Sequence, residues 1–257
     1  MSDKIKFVYL NLCDQDSTVV TGSTEDPFYP ASNLKDARTT KKWRTTSSSG
    51  SVVFDFITTE AVDSLMVRGD AFTGRGFNST LTIEANTTDS WGSPAYSTTL
   101  SFSDKHNIGF KFLDSDESYR FWRVSGSGSS YLELSNICIG KSLIPERNIS
   151  TRLKFEEIDL SDRTENDDGQ EWFIERNRKR KLSCDIKFLS KAGIDYLMTM
   201  FDAVGISKPI WVVPDNAEFF SPEKERFASQ YRLRKVPSYN HSIKGLYNID
   251  FDLNEVI

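Results

Sequence analysis

The segment Val52-Val53-Phe54-Asp55-Phe56 sends its first valine and both phenylalanines to one face of an extended chain, and its second valine and its aspartate to the other. This period of two is typical of a half-buried β-strand. Similar short runs recur through the first half of the chain, separated by turns rich in Ser, Thr, Gly and Asp, and no long helical period interrupts them. We therefore predict a jelly-roll β-sandwich for this half.

The predicted strands of the first half share this apolar alternation and the turn residues at their ends: Lys6 to Leu12, Ser51 to Ile57, Ser64 to Arg68, Thr80 to Ala85, Gly109 to Leu113, Tyr119 to Ser125 and Tyr131 to Gly140. Aromatic residues make up 12% of the chain, which also favours sheets, because broad rings fit a pleated surface.

The pattern changes after a connector at Pro145 to Ser150. We predict one domain over 1–144 and a second over 145–257. In the second, apolar residues alternate from Leu182 to Phe188 and again near the end of the chain, which predicts a β-sandwich or barrel. Residues 161–169, which are nearly all polar, are predicted to form a loop.

One α-helix is predicted near 190–204. Ser190 is a suitable N-cap, and Ile194, Leu197, Met198 and Phe201 repeat at helical spacing behind it. A glycine at position 205 ends the pattern. The predicted fold is therefore mostly β with a single helix.

The composition of the chain argues against several classes of function. The 257 residues are 38% hydrophobic and 27% charged, as in a folded protein, and the net charge of −5 argues against specific nucleic-acid binding. No apolar run reaches the length of a signal peptide core or a bilayer span, so membrane insertion is not expected. Cys13, Cys138 and Cys184 are widely spaced and odd in number, so we expect no disulfide or metal role and a protein made in a reducing cytoplasm. Cys138 and Cys184 lie in apolar, strand-like runs and are predicted to be buried thiols.

Four motifs resemble galactose-binding-like (discoidin-type) jelly rolls, in the order in which those domains carry them: Tyr29-Pro30-Ala31-Ser32-Asn33-Leu34 with Trp43-Arg44, then Val52 to Phe56, Tyr119-Arg120-Phe121-Trp122-Arg123-Val124 and Ile137-Cys138-Ile139-Gly140. The opening motif looks most like the versions of this domain found in phage tail proteins.

The second half resembles the β-sandwich module of phage tail tubes and of distal tail or baseplate hub proteins. The similarity lies in the order of parts: a strand pair, the strand–helix passage Leu182 to Val204, the strand Pro209 to Pro214 and a last strand ending Asn254-Glu255-Val256. In the usual distal tail arrangement the ring-like module comes first, whereas here it comes last.

These resemblances imply a virion structural protein of a phage tail, which forms or joins a ring at the tail tube or baseplate. The implied partners are copies of itself and other tail or baseplate proteins, and the implied location is the virion tail, after synthesis in the host cytoplasm. The alternative hypothesis is a carbohydrate-binding module for host adhesion. Trp91 and Tyr96, in a Gly/Pro/Ser-rich loop, are its candidate glycan platform, because sugars stack on aromatic faces.

Catalysis finds no support in the sequence. His106 and His241 stand in polar, turn-like settings, and no GxSxG, HExxH or P-loop motif occurs. We expect no enzyme activity, no catalytic residue, no metal site and no cofactor.

A charged region is the candidate subunit interface. We predict that the basic strand of one copy faces the acidic 162–168 loop of a neighbouring copy, which would fix the register between subunits. The alternative is a solvated edge strand whose charges prevent aggregation. The candidate interface residues are Asp162, Asp167, Asp168, Arg176, Arg178, Lys179, Arg180 and Lys181.

Overall fold

The structure is a computed structural model that describes residues 4–69, 77–78, 80–102, 107–150, 154–176, 178–214 and 227–256. Its contacts divide the chain into two compact units, Met1–Leu143 with Trp211–Ser229, and Ile144–Ile210 with Gln230–Ile257. The prediction put Trp211 to Val213 in the second domain. These residues pair antiparallel with the first strand of the chain, and their contacts group them with the first unit.

The strands of the first unit are mostly antiparallel neighbours: β1 Lys6–Asn11, β2 Val19–Gly22, β3 Trp43–Arg44, β4 Ser49–Arg68, β5 Thr80–Asn86, β6 Tyr96–Ser101, β7 Ile108–Ser127, β8 Glu133–Leu134 and β9 Asn136–Leu143. The later elements are β10 Lys154–Asp159, β11 Asp162–Glu165, β12 Glu171–Ile174, β13 Arg178–Leu189, α1 Lys191–Val204, β14 Ile210–Val213, β15 Ser229–Leu233, β16 Ser238–Ile243 and β17 Leu246–Glu255.

Two 20-residue strands, β4 and β7, organise the first unit. The first half of β4 pairs with β2 and with the second half of β7, which continues to β5 and β6. The second half of β4 pairs with the first half of β7 and with β9, which continues to β1 and β14. The register shifts between Asp55 and Glu60, where Ile57 has a φ of 67°. The sequence predicted four separate strands here, because the polar bend residues look like turns.

The core of the first unit lies between these halves. One side of it is formed by Val52, Phe54, Trp122 and Val124. The other side is formed by Leu65 of β4 and by side chains of β9. Trp43 and Leu134 close it from β3 and β8. Burial of each large side chain contributes roughly 1.5–3 kcal/mol. The mostly β fold is therefore confirmed, with the sandwich core predicted from the alternation of Val52 to Phe56.

The sheet of the second unit runs β10-β13-β17-β15, with β16 added to the first half of β17. Its buried face carries Leu182, Cys184, Ile249, Phe251 and Leu253, the alternation predicted from the sequence.

The helix α1 covers the buried face of this sheet, with the ring centroids of Phe201 and Phe251 5.5 Å apart. Ser190 caps it, since its Oγ accepts a hydrogen bond from the N–H of Gly193 at 3.0 Å. The predicted helix is thus confirmed, and α1 is the one α-helix among the residues described. Met200 rather than Met198 is fully buried on its core face.

Candidate interaction surfaces

An exposed hairpin is the most unusual feature of the second unit. Strands β11 and β12 pair only with each other, in the register Asp162↔Ile174 to Glu165↔Glu171. The turn between them is held by Asn166, whose Oδ1 accepts N–H bonds from Asp168 and Gln170. The sequence predicted a loop here, because Asp162 to Gly169 are nearly all polar.

The hairpin carries three large apolar side chains that its own unit does not cover. Trp172, Phe173 and Ile174 are 51%, 65% and 60% exposed. By strand alternation, Trp172 and Ile174 share one face and Phe173 lies on the other. A two-stranded hairpin alone is marginally stable in water. Covering what remains exposed of these three side chains would contribute roughly 3–5 kcal/mol.

Most residues of the basic run have acidic partners within their own chain, which the sequence alone did not predict. Strand β10 lies beside it and places Glu156, Glu157 and Asp159 opposite Lys181, Arg180 and Arg178. The guanidinium of Arg178 lies 3.7 Å from a carboxylate oxygen of Asp159, and Nζ of Lys181 lies 3.6 Å from Glu156.

Arg176 also finds its partner inside the chain, 2.5 Å from the carboxylate of Asp162. Its N–H donates to Oγ of Ser161 at 3.0 Å. This ion pair lies at the base of the hairpin. Arg176 and Asp162, two of the predicted interface residues, therefore stabilise the hairpin of their own chain. Asp167 and Asp168 are exposed at the hairpin turn.

Arg180 is a structural residue. Its Nε donates to Oε2 of Glu255 at 2.8 Å, its main-chain N–H donates to the same oxygen at 2.9 Å, and its Nη2 contacts Oε1. Glu255 is 3% exposed. Burial lowers the pKa of Arg180, but the hydrogen bonds and the charge of Glu255 outweigh this effect, so the pKa is raised. The sequence could not show this pair, because its members are 75 residues apart.

Lys179 differs from the rest of the run. It lines a groove of about 350 Å³ together with Arg232 and Arg234. Among the residues described, no carboxylate forms an ion pair with any of these three side chains. Of the predicted basic residues, Lys179 alone therefore lines a basic surface open to an outside partner.

The predicted glycan platform does not form, because Trp91 and Tyr96 lie on opposite faces of the sheet. Tyr96 faces the core, where its ring centroid is 6.0 Å from that of Trp122. Burial raises the pKa of the Tyr96 hydroxyl. Trp91 lies over Arg123 on the outer face, with the guanidinium carbon 4.6 Å from the ring centroid. Its Nε1 donates to Asp89 at 2.7 Å.

A second aromatic group, which the sequence did not single out as a site, lies where β3 meets β8. Here the guanidinium of Arg44 stands 4.2 Å from the ring centroid of Tyr29 and 4.5 Å from that of Tyr131. Phe28 beside it is 86% exposed. We call these four residues the Arg44 cluster. Tyr29 and Arg44 stood in the opening motif, but Tyr131 lies far along the chain from both and left no local signal.

The buried residue Glu133 holds the side chain of Arg44 in place. It is 1% exposed and accepts from Nε of Arg44 at 2.7 Å, while Nζ of Lys42 lies 3.3 Å away. Although partial burial opposes it, hydrogen bonding to Glu133 raises the pKa of Arg44. Glu133 thus contacts both Lys42 and Arg44, and the charge-assisted hydrogen bond to Arg44 fixes the guanidinium beside the two tyrosine rings.

The cysteine and histidine side chains form no reactive centre among the described residues. Cys13, Cys138 and Cys184 are free and buried, as predicted for the last two, and burial raises the pKa of each thiol well above its usual value. His241 packs against Tyr247, with ring centroids 4.3 Å apart, and His106 lies outside the described residues. Over the described ranges, no three His, Cys, Asp or Glu side chains converge as metal ligands, and no helix is long and apolar enough to cross a membrane.

Comparison with known proteins gives likenesses of structure alone. No protein-family model matches the sequence, and no curated protein matches it. The family 32 carbohydrate-binding module of NanJ from C. perfringens, solved with galactose, matches with 12% identity and a TM-score of 0.45 over 52% of this chain and 99% of that one. Chitosan-binding module 1 of a chitosanase/glucanase from Paenibacillus sp. IK-5 matches with 17% identity and a TM-score of 0.41, over 51% and 99%.

The fucose-binding module SpX-3 of Streptococcus pneumoniae gives 14% identity and a TM-score of 0.43, over 51% of this chain and 98% of that one. All three are carbohydrate-binding modules, and none of them is a tail protein. Identities and TM-scores this low do not assign a ligand to the present chain.

Proposed function

We propose that this chain is a structural component of a larger assembly, which binds copies of itself and other proteins through the β11–β12 hairpin. The observation that carries the proposal is the exposure of Trp172, Phe173 and Ile174 on a hairpin that pairs with nothing else among the described strands. Clustered apolar side chains with an aromatic anchor are typical of protein–protein interfaces.

The hairpin is suited to contacts that repeat around an axis. We propose that it binds a different surface on a second copy, so that the contact is heterologous. Contacts of this heterologous kind generate rings when the rotation closes. The ring predicted from the sequence, in the tail tube or baseplate of a phage tail, is the form of assembly we propose, and the protein acts there by binding and without catalysis.

The experiment compares the full-length protein with Trp172→Ser/Phe173→Ser in sedimentation velocity, alone and after addition to a tail extract. We expect the wild type to form oligomers or to enter tail particles, and the variant to stay monomeric and outside them. Phe28→Ser is the matched control, because it removes a more exposed aromatic side chain from the other unit. A wild-type protein that stays monomeric and never enters particles would refute the proposal.

A second candidate function is glycan binding by the Arg44 cluster. Tyr29 and Tyr131 hold the guanidinium between them, and Phe28 leaves an aromatic face open to solvent. Aromatic faces beside fixed polar groups are what sugar rings recognise. The glycans named for the three similar structures, galactose, chitosan and fucose, are the first to test.

A glycan array with the full chain tests this candidate, because residues 211–229 belong to the first unit and a fragment ending near residue 145 would lack them. We expect binding that Phe28→Ala and Tyr131→Ala remove and Trp91→Ala leaves intact. Binding that depends on Trp91 alone, or no binding to any glycan, would exclude the Arg44 cluster as the site.

A further inference from the structure

A basic groove on the second unit has no counter-charge from a described ion pair in its own chain. Lys179 lies on β13, and Arg232 and Arg234 lie on and just after β15, with Asn254 of β17 between them. The groove holds about 350 Å³. Ile206, which is 57% exposed, forms part of its wall.

The charge of this groove is not balanced locally. Glu255 lines it as well, but both of its carboxylate oxygens are engaged by Arg180. Nε of Arg232 is buried and has no hydrogen-bond partner among the described atoms. Three cations and one unsatisfied donor around a concave surface favour an anionic ligand, and the apolar wall favours one that brings apolar atoms with it.

The hairpin turn has the complementary chemistry. Asp167 and Asp168 are exposed at its tip and join no described ion pair. Behind them β12 carries the apolar side chains Trp172, Phe173 and Ile174. The strand β12, from Glu171 to Ile174, spans roughly 10 Å at about 3.3 Å per residue, and the turn that carries the two aspartates lies beyond its first residue.

We propose that the tip of the β11–β12 hairpin of one copy docks in the groove of Lys179, Arg232 and Arg234 on a second copy. The inference rests on the proposed function, since it names the partner surface of the same hairpin. Asp167 and Asp168 meet the three cations, and Trp172 or Phe173 packs on the apolar wall at Ile206. Hairpin and groove are different surfaces of one chain, so each copy offers both and the contact propagates head to tail.

Charge reversal tests the pairing. Asp167→Lys/Asp168→Lys changes the tip, Lys179→Glu/Arg234→Glu changes the groove, and a third chain carries all four substitutions. Arg232 is left intact because it is half-buried. We expect each double variant to raise the Kd of self-association by about tenfold or more, and the quadruple variant to recover association, because charges across an interface select the partner. Hydrogen exchange of β13 and β17 checks that each variant is folded.

The results distinguish a failure of the docking proposal from a failure of the proposed function. If the wild type associates and either double variant associates equally well, or the quadruple variant does not recover, the docking proposal is overturned and the proposed function stands. If the wild type neither self-associates nor enters tail particles, both are overturned. Lys187→Glu, outside the groove at a side chain already paired with Asp185 at 3.1 Å, is the matched control and should leave the Kd unchanged.

Discussion

Replacing Glu255 with Gln should destabilise the second unit strongly, because Glu255 is the buried partner of Arg180. The change keeps the shape of the side chain but removes the carboxylate that pairs with Arg180, whose side chain is only 17% exposed. Removing one member of a buried ion pair costs about 3–5 kcal/mol. Glu156→Gln is the control: its partner Lys181 lies 3.6 Å away and Glu156 itself is 41% exposed, so the expected cost is about 0–1 kcal/mol.

Hydrogen exchange followed by mass spectrometry is the appropriate assay, because two units need not unfold together and a single melting curve would mix them. We expect the amides of β13 and β17 to lose protection in the Glu255→Gln protein, with those of the first unit unchanged. A paired replacement, Arg180→Met/Glu255→Leu, should recover most of the stability, since apolar residues can substitute for a buried ion pair. If Glu255→Gln costs no more than Glu156→Gln, Arg180 is not held as described.

Three further predictions concern the first unit and the thiols. Gly140→Ala should destabilise by about 1–3 kcal/mol, because its Cβ would stand 2.2 Å from the carbonyl oxygen of Leu10; Gly92→Ala, with no atom within 4 Å, should not change the melting temperature. Arg120 holds the pKa of the Asp55 carboxyl below its usual value, so this contribution to stability is complete above the unfolded pKa of about 3.9 and is lost as the pH falls through the folded value. Arg120→Gln should therefore flatten the acid limb of stability measured by denaturant titration, and an unchanged limb would contradict the assignment. The three buried cysteines should resist a thiol reagent until the protein unfolds, and one rapidly labelled thiol in the native protein would contradict their burial.

Local patterns predicted most of the fold. The alternation of Val52 to Phe56 and the capped periodicity of α1 predicted elements that the structure contains, because each depends on neighbours in the sequence. Strand β16 was missed, since Ser238 to Ile243 form an exposed edge without apolar alternation. The assignment of Trp211 to the first unit could not be predicted, because its strand partner Val8 lies at the opposite end of the chain.

The candidate surfaces were predicted only in part, for the same physical reason. The charges of the basic run were visible in the sequence, but the acidic strand that neutralises them became apparent only through the register of β10 on β13. Trp91 and Tyr96 are close in sequence, yet Trp91, in the turn between β5 and β6, packs on Arg123, whereas Tyr96, on β6, packs against the core. The sequence shows which residues are charged or aromatic. Which of them contact each other depends on strand pairing between segments that are far apart in the chain.

The most direct test is the hydrogen exchange of residues 162–174 in the dilute monomer and in the associated protein. If the hairpin is the binding element, its amides exchange quickly in the monomer and become protected on association, while those of the Trp91 turn do not change. Equal exchange of the hairpin in both states would show that assembly, if it occurs, uses another surface.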